Sequence, residues 1–208
     1  MESFRRDWEH LEPDPYMADG GSYRFRRYGL FQSSAGQLSH VTGATFFQSV
    51  DTNPLNGGER RHFAPLAADT VNNPFLHELI RFDFAQLTSG THIEDNWLIG
   101  VHQIRICATS GVSGHPTPEG VHRDDETYTA QHLIARHNIA GGINHFYGSG
   151  SDPTTHPEAV WEQTSYFDSY YFDRSIWHSV SPIACRTPDN AGHRDVILID
   201  FVNSSEVH

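Results

Sequence analysis

The sequence predicts a mainly β fold, a double-sheet jelly roll of cupin-like form with flanking helices. Two observations lead there. Beyond residue 90, short strand-like runs recur between glycine and proline turns, and helical periodicity is concentrated in the N-terminal half. A third is composition: aromatic residues make up 12% of the chain against a mean hydropathy of −0.52, which fits a β-rich domain with long polar loops.

Taken in order, residues 1–20 read as a short helix followed by the Pro-rich loop Glu12-Pro13-Asp14-Pro15. Ser22 to Tyr28 alternates aromatic and charged side chains, the pattern of a strand with one buried face. Thr45 to Val50 is a second such run, ended by the turn sequence Asn53-Pro54-Leu55-Asn56-Gly57-Gly58. Asn73 is placed to cap a helix and Pro74 to occupy its first position. Leu76, Ile80, Phe84 and Leu87 then form that helix's apolar stripe. Strand-like segments follow at Trp97 to Ile106, Tyr128 to Arg136, Ile143 to Tyr147 (after Gly141-Gly142), Ser175 to Val180 and Asp195 to Val202.

At 208 residues and 23.5 kDa, the chain suits one well-buried domain over residues 1–208. A formal net charge of −12 repels phosphate backbones, which argues against a nucleic-acid partner. No apolar run reaches the roughly 20 residues that cross a bilayer, and the first residues lack the apolar centre of a secretory signal. Two cysteines, Cys107 and Cys185, make no disulfide framework and read as small buried residues. A cytoplasmic protein is expected, with homo-oligomerisation left open.

The chemistry concentrates in two His-Arg-Asp tripeptides, at 122–124 and 193–195. Chance alone supplies about one His-x-Asp spacing in a chain with 15 histidines among 208 residues, so context must choose. The second tripeptide has His208 as the only histidine after it, whereas the first is followed by His178 and Arg194 in order. Side chains at i and i+2 share a face, so His122 and Asp124 can face one point while Arg123 faces elsewhere. Two imidazoles and one carboxylate can occupy one face of Fe(II), leaving the other open. Arg194, opening a hydrophobic strand, could then grip the far carboxylate of a 2-oxo acid with its planar fork. Its plainer reading is a surface arginine paired with Asp195 or Asp189. The ordered set implies an Fe(II)/2-oxoglutarate oxygenase.

Other chemistries lack their parts. Neither His-Arg-Asp has the asparagine five residues on that a kinase catalytic loop needs, and no Gly-x-Ser-x-Gly or His-Glu-x-x-His occurs. A zinc hydrolase on the same three ligands would leave Arg194 without a role.

Pro118-Glu-Gly-Val-His-Arg-Asp124, Gln131-His-Leu-Ile-Ala-Arg-His-Asn138 and Gly141-Gly142 resemble the bacterial Fe(II)/2-oxoglutarate oxygenases that include L-isoleucine 4-hydroxylase. Tyr23 to Tyr28, Gln48, Asn53-Pro54, Gly57-Gly58 and Phe63 to Leu66 are similar to that family too, so the resemblance runs from about residue 20 to residue 202. It implies a double-stranded β-helix, with iron on His122, Asp124 and His178 and 2-oxoglutarate on Arg194. It also implies O₂ as oxidant and a free, aliphatic L-amino acid or close derivative as the hydroxylated substrate. Many oxygenases of the wider superfamily carry a serine two residues after the arginine. Here that position is Val196, so another group must complete the carboxylate site.

An amino acid needs both its charges met. Arg105 is the favoured carboxylate partner because its strand precedes the ligand loop, with the arginines of 24–27 and 60–61 as further candidates. Asp125 or Glu126 could receive the ammonium. Hydroxylation of a protein or peptide side chain, and a non-catalytic jelly-roll binding module, are the competing readings.

Overall fold

The computed structural model describes residues 2–88, 96–148, 156–187 and 190–204. Its helices are α1 (Glu2–Arg6), α2 (Ala68–Val71) and α3 (Pro74–Thr88). Its strands, in chain order, begin with β1 (Glu12–Pro13), β2 (Arg24–Ser34), β3 (Gln37–Val41), β4 (Ala64–Pro65) and β5 (Trp97–Ala108). They continue with β6 (Tyr128–His137), β7 (Ile139–Gly141), β8 (Asn144–Tyr147) and β9 (Ala159–Trp161). The last are β10 (Ser169–Asp173), β11 (Trp177–Val180), β12 (Ile183–Cys185) and β13 (Gly192–Asn203).

The major sheet runs β1-β2-β5-β13-β6-β10, with β3 and β4 added on β2. A smaller sheet, β11-β8-β9, and the ribbon β12-β7 complete a jelly roll. Central β13 pairs antiparallel with both β5 and β6, and its register to β6 shifts between Asp195 and Val196.

Strand alternation divides the major sheet into two unlike faces. Ile99 and Val101 of β5, with Ile197, Ile199 and Phe201 of β13, pack against Leu76, Ile80 and Phe84 of α3. Those three helix residues are at most 2% exposed, and burying each stabilises the fold by about 1.5–3 kcal/mol. Asn73 caps α3 by accepting from the Phe75 amide at 3.0 Å. A buried polar contact also pins helix to sheet: Asp83 of α3 lies 2.8 Å from Nε2 of His132 on β6 and accepts from Tyr171 on β10 at 3.1 Å. The opposite face carries His102, Ile104, Arg194, Val196 and Asp200, and lines a cavity.

One expectation changes, and one strand is added. Thr45 to Val50 forms only the single bridge Phe46–Arg61, because no neighbouring strand runs alongside it and the segment instead covers the cavity. Ser169–Asp173, unremarked in the sequence, is a full partner of β6.

Candidate metal centre and its cavity

His122 lies on the loop before β6, and His178 on β11. Their backbones form a two-bond antiparallel bridge, with the His122 amide donating to the His178 carbonyl at 3.0 Å and the reverse bond at 2.8 Å. The bridge sets the two imidazoles side by side, with ring centroids 4.3 Å apart. Asp124, two residues on, presents Oδ1 at 3.6 Å from Nε2 of His122 and Oδ2 at 3.8 Å from Nε2 of His178. The three ligand atoms all lie within 4.8 Å of one another, and among the described residues this is the one such group of His, Cys, Asp or Glu. Arg123, as alternation requires, turns outward and stacks over Trp177 at 4.5 Å.

The donor set suits a divalent cation. Nδ1 of His122 lies 3.1 Å from the Gly120 carbonyl, which can only accept, so the proton sits on Nδ1 and the Nε2 lone pair faces Asp124. Burial pushes the His178 imidazole down to about 4, against partial compensation from Asp124, so His178 is neutral near pH 7. Thr129 donates to Asp124 Oδ2 at 3.3 Å.

Arg194 enters the same cavity from β13 and is 2% exposed. Its Nη2 donates to Gln163 at 2.7 Å, while its Nε is buried without a protein partner. Leaving such a donor unpaired costs about 1–3 kcal/mol, which an incoming carboxylate would recover. Gln163, itself fully buried, is held by Gln131 at 2.9 Å and by the Asp168 carbonyl at 2.6 Å. The Tyr170 hydroxyl adjoins Arg194 and donates to Asn144 at 2.9 Å. Asp195 points the other way from Arg194, and Asp189 lies outside the described residues.

A second polar cluster forms the cavity floor. Arg26 directs Nε and Nη2 at Nδ1 of His102, at 3.2 and 2.6 Å. An arginine only donates, so Nδ1 is the acceptor and Nε2–H of His102 donates to Asp200 at 2.7 Å. Burial, then the charges of Arg26 and Arg61, hold His102 well below its usual value. Burial, then the charge of Asp124, raises Glu126 to about 8.

The two residues favoured for substrate contact do not reach this cavity. Arg105 lies on the helix-side face of β5 and makes two 2.7 Å hydrogen bonds to Asp195, its cross-strand partner. Parity decides it: Ile104 and Ile106 face in, so Arg105 faces out. Asp125 is exposed and fastens the loop at 49–52, accepting from the Ser49 amide at 2.9 Å and from the Thr52 hydroxyl. Of the wider arginine groups named from sequence, Arg24, Arg26 and Arg61 do line the cavity, as does Glu126. Gln163 and Tyr170 carry no signal in the sequence, since neither lies in a motif and only the fold brings them to Arg194.

Two curated proteins resemble the chain over nearly its full length. The L-isoleucine-4-hydroxylase of Bacillus thuringiensis is 26% identical over 199 residues, 94% of this chain and 80% of the relative. The 3(1)-hydroxy-L-isoleucine 4-dioxygenase of Pantoea ananatis (strain AJ13355) is 26% identical over 213 residues, 99% of this chain and 82% of the relative. The crystal structure of a bsmA homologue from Methylobium petroleophilum PM1 superposes with a TM-score of 0.82 at 29% identity, covering 97% of this chain and 80% of that one. The family model for 2OG-Fe dioxygenases matches residues 5–200. The chain therefore belongs to the 2OG-Fe dioxygenases, enzymes that work with Fe(II), 2-oxoglutarate and O₂.

Proposed function

We propose that this dioxygenase hydroxylates an unactivated carbon of a free L-amino acid, an aliphatic one or a close derivative, while converting 2-oxoglutarate to succinate and CO₂. The observation that carries the reading is convergence: His122, Asp124, His178 and Arg194 meet in one buried cavity. The substrate class rests on the curated relatives, whose names specify L-isoleucine and a hydroxy-L-isoleucine. On this reading one domain acts in the cytoplasm on a small molecule, not on nucleic acid. No helix among the described residues is long and apolar enough to cross a membrane.

His122, Asp124 and His178 would hold the iron, which with 2-oxoglutarate and O₂ supplies the oxidising power to replace C–H by C–OH. Arg194 receives the far carboxylate of 2-oxoglutarate, steered by Gln163. Tyr170 provides the hydroxyl that Val196 lacks. Ile104, Phe172, Val180 and Leu198 wall the cavity and keep water from the reacting carbon. With a volume of about 120 Å³, it suits small acids better than a polypeptide segment.

The test is spectroscopic. Metal-free protein given Fe(II) and then 2-oxoglutarate without oxygen should develop a weak visible charge-transfer band. Asp124→Ala should abolish the band and cut amino-acid-dependent succinate release by more than the roughly 10–100-fold that an outer-shell partner is worth. A band that survives in Asp124→Ala would sink the ligand assignment.

A further inference from the structure

Four arginines line the cavity, and three have assigned partners. Arg24 donates to Asp14 at 2.6 Å, Arg26 is committed to His102, and Arg194 serves the co-substrate on the reading above. Arg61 differs. It is 2% exposed, its Nη2 donates to Gln48 at 2.6 Å, and its Nε is buried with no partner. The Phe46 ring lies 4.8 Å from its guanidinium, and Gln48 is itself braced by Asn53 at 3.2 Å. No carboxylate pairs with Arg61 among the described residues. A buried, rigidly oriented guanidinium without a counter-ion is destabilising unless an anion arrives.

The cavity holds a complementary vacancy. The Glu119 side chain is 7% exposed, its Oε1 lies 3.5 Å from Nε2 of His122, and its Oε2 is buried without a partner. Glu119 and Arg61 form no ion pair with each other, yet Glu119 is among the charges that sustain ionised Arg61 against burial. One cavity thus presents an unsatisfied cation and an unsatisfied anion, the second beside the metal ligands.

We propose that Arg61 and Glu119 are the two ends of the substrate clamp: Arg61 takes the α-carboxylate of the amino acid and Glu119 its α-ammonium. This deepens the proposed function and rests on it. A forked guanidinium and a carboxylate together select a zwitterion and reject acids, amines and amides that offer only one charge. They also hold the side chain at a fixed distance from His122, so the hydroxylated carbon is set by side-chain length.

The experiment uses protein loaded with Fe(II) and 2-oxoglutarate without oxygen. Each proteinogenic L-amino acid is titrated while perturbation of the visible band is followed. The tightest binder becomes the probe, with its α-amide and its des-amino acid as analogues. Wild-type protein should bind both analogues at least about tenfold more weakly than the probe, since tenfold corresponds to about 1.4 kcal/mol. Arg61→Gln should weaken the probe about tenfold or more and erase its preference over the amide. Glu119→Gln should weaken the probe similarly and erase its preference over the des-amino acid. If Arg61→Gln fails to fold, Arg61→Lys keeps the charge without the fork and should show a smaller loss in the same direction.

Equal binding of probe and analogues by wild type overturns the clamp, as does a normal band with no amino acid bound. An unchanged affinity in either variant removes that residue from it. Loss of the iron band in Glu119→Gln assigns Glu119 to the metal centre and overturns its ammonium role. Absence of the band in wild type sinks the Fe(II)/2-oxoglutarate assignment itself, and the clamp with it.

Discussion

Arg105 and Asp195 face each other across β5 and β13, joined by two 2.7 Å hydrogen bonds. Asp195 is 2% exposed and lies on the helix side of the sheet. Removing the arginine leaves a buried carboxylate short of two donors. Arg105→Ala should therefore lower stability by about 1–3 kcal/mol while leaving KM for the substrate at its wild-type value. Denaturant unfolding and steady-state kinetics read the two effects separately, and a sharp rise in KM would return Arg105 to the substrate site. The same one-residue parity explains Arg194. In register with Ile106, it shares the inward face, so a single step along β13 separates the cavity's Arg194 from the ion pair of Asp195.

At the scale of elements, the segment between β3 and β4 does work that its composition conceals. It covers the cavity with Phe46, Gln48 and Asn53, and it is tied down by Asp125, the residue after Asp124 of the candidate metal centre. Gly57 lies too close to the carbonyls of Ser49 and Asn53 for any Cβ, at 2.3 and 2.4 Å, so the turn closes only with glycine. Asp125→Ala should free this cover. Amide exchange across residues 48–58 should accelerate at least about fivefold, with a several-fold rise in substrate KM as Gln48 loses its hold on Arg61. Unaltered exchange there would show that the cover is held by its own packing. Helix α3 stands at the other extreme: capping residue, proline position and apolar stripe all agree locally, and tertiary contacts add to a choice already made.

For the whole molecule, the cost of the site lies in charges buried together. Glu126 is pushed up to about 8, first by burial and then by Asp124, while Asp200 is raised well above its ordinary value, first by burial and then by Glu126. Between a carboxylate's unfolded value near 4.5 and about 8, the folded metal-free protein binds a proton at Glu126 that the unfolded chain releases. Stability from this group is fully present below the unfolded value and is lost as pH rises through that window. Metal-free Glu126→Gln should thus gain on wild type progressively from about pH 4.5 to pH 8. Urea midpoints across that range measure it, and a difference that stays flat would show that Glu126 ionises normally in the fold. A cation at Asp124 should shrink the gain, because it favours the ionised carboxylate.

Much of this enzyme was legible in its sequence. The β architecture, helix α3, the His122-Arg123-Asp124 turn and the distal His178 follow from periodicities and spacings that act over a few residues. Order along the chain was enough to choose between two identical tripeptides. Tertiary structure alone decided which arginines meet the cavity, since that depends on strand parity and on which sheet face the helix covers. It also brought Gln163 and Tyr170 to Arg194, and left Arg61 and Glu119 as unpaired opposite charges in one cavity. Those relations join residues tens of positions apart, where no local pattern operates and only the paired strands set the distance.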